Sequence, residues 1–316
     1  MPGQLNRYPA LLRPQSWSGL CSAWLLVACT NPGVERLTPL APGALEGRTH
    51  PIPNLERVVF LAYGDAGFGD DRQRRVGASM ATVCCSRACN FVVGLGDNHQ
   101  GNGFVGVDDP AFADRFEVPY AAFGAVDFWL TLGNHDWMGA AQAEIDYTLR
   151  SDRWRMPAQG YAVPDLPSWL NIVTFDAWGA EQLGSLAESQ LAVLREGLCG
   201  KPGWLIAVGH VPAYSSGEHG DDSFIQGLLT GELSPCAPQL YLSGHDHDQE
   251  LMVTPELTQV VAGSAADVRK LNGRGANSTF AREGLGFVAL EVTATTLLIT
   301  FYDGDGEVVF EKSLTL

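Results

Sequence analysis

A chain of 316 residues, 46% apolar and 18% charged, can bury a large core as one big domain or two smaller ones. Its formal charge of −16 at pH 7 excludes a general affinity for nucleic acid or anionic lipid, both of which need a basic surface. Any phosphate-bearing ligand must then be attracted by something local rather than by the overall field.

Residues 1–28 read as a lipoprotein-type signal peptide. Arg7 and Arg13 give a positive start with no acidic residue, and the apolar stretch 17–28 is too short to cross a hydrocarbon layer of ~30 Å. It ends in Leu26-Val27-Ala28-Cys29, which resembles a bacterial lipobox whose cysteine is lipidated and becomes the mature N-terminus. Removing these residues takes away two positive and no negative side chains, so the formal charge moves from −16 to −18. Residues 29–54 contain five prolines and three glycines beyond Cys29 and no apolar periodicity, the composition of a tether, with His50 exposed in it. Residues 55–316 are expected to form one catalytic domain, exported to the cell envelope or periplasm and held to the membrane through Cys29.

Along that domain, strands are expected at 58–62, 91–94, 127–132, 171–175, 204–208 and 239–242. Helices are expected at 71–85, 111–123, 140–149, 181–198 and 224–229. After His247 the pattern becomes strands only, at 250–253, 257–261, 286–292, 296–302 and 307–314. Alternation followed by a run of strands predicts an α/β layered fold with a second, largely antiparallel sheet. Export permits disulfides. Cys199 and Cys236 each follow an expected helix and are the favoured pair; Cys84 or Cys85 with Cys89 is disfavoured, because a regular helix separates such residues badly.

Chemistry concentrates in five short segments: Gly64-Asp65, Gly96-Asp97-Asn98, Gly133-Asn134-His135-Asp136, Gly209-His210 and Gly244-His245-Asp246-His247. Each sets an Asp, Asn or His directly after a glycine, and four of them follow strand-like runs. Of the seven histidines, six (His99, His135, His210, His219, His245 and His247) lie in or beside these segments. Carboxylate, amide and imidazole donors gathered at strand ends are what a pair of cations requires.

This ordered set resembles the calcineurin-like metallophosphoesterase superfamily. Gly67, standing two residues after Asp65 where a histidine would otherwise sit, points to its purple acid phosphatase branch. Arg153-Trp154-Arg155-Met156-Pro157 and Ser216-Gly217-Glu218-His219-Gly220 are similar to its small, tartrate-resistant type. The resemblance implies a four-layer α-β-β-α sandwich with two mixed β-sheets around a dinuclear site of Fe, Zn or Mn. It implies Asp65 and His247 on one cation, Asp97 as the bridge, and Asn134, His210 and His245 on the other. It further implies hydrolysis of phosphate monoesters by a hydroxide shared between the cations. His135 would act as general acid or phosphate ligand, Asp136 would orient it, and Glu218 and His219 would meet the leaving group.

The chain departs from that family three residues after Asp97, where Gln100 replaces a tyrosinate ligand. A neutral amide implies a weaker or divalent cation there, with His99 as a compensating donor and Gln100 as a lesser one. Phe68, Phe104, Trp137 and Tyr214 read mostly as packing, with one or two at the substrate mouth. Two rival readings are a phosphodiesterase acting on nucleotides or phospholipid headgroups, and a catalytically weak surface lipoprotein that binds rather than hydrolyses. A metabolic fatty-acid label is expected on the wild type and not on Cys29→Ala; equal labelling of both rules out the lipid anchor.

Overall fold

The computed structural model describes residues 36–316; the signal peptide, Cys29 and the first part of the tether lie outside the described residues. Two seven-stranded sheets carry the chain. The first grows from β1 (Arg57–Tyr63), β2 (Phe91–Gly94), β3 (Asp127–Leu130) and β4 (Trp154–Arg155), which are mutually parallel. The second is built on β6 (Leu170–Thr174), β7 (Trp204–Val208), β8 (Leu240–Ser243) and β10 (Thr258–Ala262), also parallel, with β5 (Tyr161–Ala162) antiparallel at one edge.

Alternation along the strands shows how the layers form. In β7, Trp204, Ile206 and Val208 join the core between the sheets, while Leu205 and Ala207 face the other way, into a second cluster. That second cluster includes Leu191, Leu194 and Leu198 at helical spacing on α4 (Glu188–Leu198), which covers the outer face of the second sheet. On the first sheet the matching cover is α1 (Asp71–Arg87), capped by Asp70 through the amides of Arg72 and Gln73 and buried through Val76, Met80 and Val83. The result is an α-β-β-α sandwich with two mixed sheets.

The strand-only region does not form a sheet of its own. β9 (Gln249–Val253) pairs antiparallel with β10, and β11 (Ser278–Arg282) antiparallel with β9, extending the second sheet. β12 (Gly286–Thr293), β13 (Thr296–Asp303) and β14 (Val308–Thr315) cross over and extend the first beside β1. Antiparallel pairing therefore lies at the margins of both sheets, and this corrects the expectation of one largely antiparallel sheet. The expected helix 111–123 is broken into irregular turns on either side of Pro119, which can neither donate an amide proton nor continue a helix. The expected helix 181–198 is two: α3 (Ala177–Leu183) ends at Gly184, whose φ of +63° reverses the chain before α4. Helix α2 (Gln142–Tyr147) and α5 (Ser223–Gln226) are shorter than their patterns suggest.

Two further expectations are corrected. Cys84 pairs with Cys89 as well as Cys199 with Cys236. α1 stops at Arg87, Ala88 turns left-handed at φ +52°, and the Cys89 amide folds back onto the Cys84 carbonyl. That brings the two Cα atoms to 4.8 Å, a spacing a continuing helix would not give.

Residues 36–54 are not a free tether. Leu37, Leu40, Leu45 and Ile52 pack on the core, Leu40 N–H donates to the Pro157 carbonyl, and Thr38 exchanges bonds with the Gln142 side chain. His50 is half-buried rather than exposed, and its amide and Nδ1 both meet the Asp127 carboxylate, at 2.6 and 3.1 Å. Asp127 in turn pairs with the buried Arg155 guanidinium at 2.9 Å, and Arg155 donates to the Arg48 carbonyl. One buried ion pair thus joins β3, β4 and the N-terminal strap. Asp127→Ala strands a buried guanidinium and is expected to cost about 3–5 kcal/mol in a urea titration; a loss under about 1 kcal/mol removes the pair from any structural role.

Candidate metal centre

All five glycine-led segments leave the carboxyl ends of parallel strands: β1, β2 and β3 in the first sheet, β7 and β8 in the second. The Gly64 amide donates to the carbonyl of Ala262, the last residue of β10, at 2.8 Å, and the Gly244 amide to the His210 carbonyl at 3.0 Å. The first of these bonds joins the end of one sheet to the end of the other, and the second joins neighbouring loops of the second sheet. A side chain has no room there at four of the five glycines, Gly96, Gly133, Gly209 and Gly244. A Cβ on Gly133 would lie 2.3 Å from Asp97 Oδ1, and one on Gly244 would lie 2.5 Å from Asp65 Oδ2. Asp65, Asp97 and His245 all have left-handed backbones, at φ +58°, +54° and +69°, among only five such non-glycine residues described. Strain of this kind concentrates where a site demands it.

The side chains converge. Asp65, Asp97 and His210 are essentially inaccessible to solvent and place one donor atom each within 4.8 Å of one another. His210 Nε2 stands 3.5 Å from Asp97 Oδ1 and 4.0 Å from Asp65 Oδ1. Asn134 Oδ1, His210 Nε2 and His245 Nδ1 form a tight triangle with edges of 3.0, 2.9 and 3.2 Å. His247 Nε2 faces Asp65 Oδ1 at 3.4 Å.

Electrostatics demand a counter-charge. Burial raises the Asp97 carboxyl above its usual range, His210 opposes this and Asp65 adds to it. Burial pulls His210 down, but Asp97 and Asp65 outweigh it and hold it above the ordinary histidine value. His245 is driven well down by burial and by its neighbours His210, His219 and His247, which keeps it neutral and able to ligate. Asp65 Oδ1 is buried with no hydrogen-bond donor. An orphaned carboxylate oxygen beside a triangle of oxygen and nitrogen donors fits cations. A cation about 2.1 Å from each donor separates adjacent octahedral donors by about 3.0 Å, close to the edges found.

Four of the imidazoles are fixed by a partner on the nitrogen facing away from the centre, which sets the tautomer. His210 Nδ1 meets the Leu95 carbonyl at 2.7 Å, and His247 Nδ1 meets Asp267 at 3.1 Å. His135 Nδ1 meets the Gly101 carbonyl at 2.8 Å, leaving Nε2 on the Asp97 side at 3.9 Å from Oδ2. His219 Nδ1 meets Asp246 Oδ1 at 2.7 Å, and its ring stacks on His245 with 3.9 Å between centroids.

Several expected roles change. Asp136 does not orient His135: its carboxylate accepts from the amides of Gly133, Asn98 and His99, so it ties the loop carrying Asp97 to the loop carrying Asn134. Burial, then Asp97, pushes it up to about 7. Below it Glu144, also raised by burial, accepts from Asn98 Nδ2 at 2.9 Å. His99 turns away from the centre and packs edge-on against Phe104, with Arg115 and Asp109 as its charged neighbours. Gln100 donates from Nε2 to Asp97 Oδ2 at 3.1 Å, steadying the carboxylate expected to bridge. Glu218 is exposed and pairs with Arg269 at 3.4 Å. Asp246 and Asp267 were not singled out by motif. Asp246 lies inside a glycine-led segment but its left-handed neighbour His245 hides the direction of its side chain; Asp267 has no sequence signal.

The calcineurin-like phosphoesterase profile matches residues 58–249. Purple acid phosphatase 4 of Arabidopsis thaliana is 30% identical over 79% of this chain and 81% of its own length. Tartrate-resistant acid phosphatase type 5 of Sus scrofa is 28% identical over 86% and 92%. Among solved structures, the yellow lupin purple acid phosphatase PPD1 superposes with a TM-score of 0.66 at 17% identity, covering 84% of this chain and 55% of that one. The GAP50 anchor of the Plasmodium inner membrane complex superposes at 0.70 with 23% identity, covering 82% and 89%. The chain belongs to the calcineurin-like phosphoesterase family, as a phosphoric ester hydrolase of the purple acid phosphatase kind, whose dinuclear Fe, Zn or Mn centre its convergent Asp/His group fits.

Proposed function

We propose that the chain hydrolyses phosphate monoesters outside the cytoplasm. Asp65 and His247 would hold one cation, Asn134, His210 and His245 the other, with Asp97 between. The observation that carries this is the donor triangle beside the orphaned, buried Asp65 Oδ1. When bound, the cation pair supplies Lewis acidity to the phosphoryl group and a water that is nucleophilic at neutral pH.

The protein's own groups supply orientation and protons. His135, anchored through Nδ1, presents Nε2 at the edge of the site, where it can bond a phosphoryl oxygen or protonate the departing ester oxygen. His219, clamped by Asp246 and laid on His245, guards the same mouth from the second sheet. The buried walls hold these groups in place before substrate arrives, so little reorganisation is left for the reaction.

Export is supported by the two disulfides, which persist in oxidising compartments, together with the apolar leader and Cys29. The binding-only alternative is favoured by Gln100, which supplies no anionic ligand; the complete remaining donor set weighs against it. A phosphodiesterase would use the same donors, and substrate comparison separates the two.

Asp97→Asn is expected to abolish turnover of p-nitrophenyl phosphate by at least a hundredfold and to lower cation content measured by elemental analysis; full retention of both overturns the reading. Wild type is expected to prefer p-nitrophenyl phosphate to bis(p-nitrophenyl) phosphate, and a strong opposite preference makes it a diesterase. With Gln100 in place of tyrosinate, the metal-loaded protein is expected to be colourless; a visible charge-transfer band contradicts that ligand assignment.

A further inference from the structure

The loop after β1 carries more than the donor Asp65. Arg72, in the first turn of α1, serves two carboxylates with one guanidinium. Its Nε donates to Asp70 Oδ2 at 2.8 Å and its Nη1 to Asp267 Oδ1 at 2.6 Å, while Cζ lies 5.0 Å from the centroid of the Phe68 ring. Asp70 is itself fixed as the cap of α1, accepting from the amides of Arg72 and Gln73. The other oxygen of Asp267, Oδ2, stands 3.1 Å from His247 Nδ1, and His247 Nε2 stands 3.4 Å from Asp65 Oδ1. The segment bearing Asp267 is tied on both sides. The Ala265 amide donates to the Gly64 carbonyl at 3.3 Å, and the Arg269 amide to the His247 carbonyl at 2.9 Å. Asp65, His247, Asp267 and Arg72 therefore form a ring that the backbone of residues 65–72 closes.

We propose that Asp267, held in place by Arg72, is a positioning residue for the cation of Asp65 and His247, and supplies through His247 the negative charge that Gln100 does not. The inference rests on the two-cation reading of the centre. Among the three histidines of the donor set, His210 has a backbone carbonyl behind it at 2.7 Å, and His245 turns Nδ1 into the donor triangle. Of these three, His247 alone is backed by a carboxylate. That carboxylate falls on the same cation that lacks an anionic donor at position 100. An imidazole that donates its N–H to a carboxylate is a more basic ligand than one held by an amide oxygen, so a divalent ion is retained there without a phenolate. Arg72 gives this arrangement its direction. Each oxygen of Asp267 has its own partner, and the carboxylate cannot turn from His247 without also leaving the guanidinium. The side chains of Arg72 and Asp267 are 46% and 30% exposed. An ion pair so open to water adds little to the stability of the fold, which leaves the ligand behind it as the place where the pair acts.

The test is zinc binding, read by competition with a chromogenic chelator, in wild type, Asp267→Asn, Arg72→Ala, His247→Ala and the double variant His247→Ala/Asp267→Asn. Asparagine keeps an oxygen for the His247 N–H and removes only the charge. Wild type is expected to hold two zinc ions, and Asp267→Asn to weaken one of them by about tenfold or more while leaving the other within about twofold. In the His247→Ala background the same substitution should add no further loss, because its route to the cation is gone. Arg72→Ala should fall between wild type and Asp267→Asn. The urea midpoint of the cation-free protein should be the same in Asp267→Asn as in wild type. Unchanged zinc affinity in Asp267→Asn overturns the proposal. So does an equal loss with and without His247, since the effect then does not pass through that ring. Unchanged affinity in Arg72→Ala overturns the part given to Arg72. A single zinc ion in wild type defeats the two-cation reading instead, and the response of that ion to Asp267→Asn then decides this inference separately. No zinc at all defeats both.

Discussion

Two carboxylates, Asp65 and Asp97, are buried where the ends of two sheets meet, and a buried carboxylate without compensation is among the most expensive groups a protein can hold. His210 offsets some of that charge, yet Asp65 Oδ1 is left without a donor. Both carboxylates also sit on left-handed backbone, so the strain and the desolvation fall on the same residues. A cation pair resolves the conflict that the rest of the fold maintains. The long parallel strands, the inter-sheet core and the close glycines all serve to keep these groups from relaxing apart.

Around that centre, the tautomers of His210, His135, His247 and His219 are set by scaffold groups on their far nitrogens. Backbone carbonyls hold His210 and His135, while carboxylates hold His247 and His219. A carbonyl merely fixes a tautomer, whereas a carboxylate also adds negative charge behind the ring and makes it a stronger donor. The histidines are therefore unequal, and the division runs within the second sheet, whose His210 is held by a carbonyl. Those closing the site from the second sheet, on the loops after β7 and β8 and backed by Asp246 and Asp267, carry the extra charge.

The convergence of these side chains was legible because all but His247 directly follow a glycine at a strand end, and a strand end is a place sequence can find. Asp65, Asn134, His210, His245 and His247 come together from segments far apart in the chain. What could not be read was direction. Asp136 and Asp246 occupy similar places, each beside a histidine, yet one binds loop amides and the other a ring nitrogen. His99 sits within a motif and still faces an aromatic cluster. The same limit explains the termini of elements: Pro119 and Gly184 break periodic patterns, and Ala88 in a left-handed conformation makes the Cys84–Cys89 pair that helical spacing forbids. The strap at 36–54 was opaque for another reason. Its anchors, Asp127 and Arg155, lie roughly a hundred residues away and bear no local mark.

Gln100 shows how a substitution at the centre can preserve the charge that matters. A trivalent and a divalent cation facing two carboxylates and a tyrosinate carry the same net charge as two divalent cations facing two carboxylates alone. Losing the phenolate is therefore neutral for attraction of a phosphate dianion if the trivalent ion goes with it. Gln100 meanwhile gives its amide hydrogen to Asp97 Oδ2, occupying a lone pair that tyrosinate would have left free and holding the carboxylate in place. The residue that departs from the family is thus incorporated into the site as a positioning group. The departure is better understood as a change of cation than as decay of the centre.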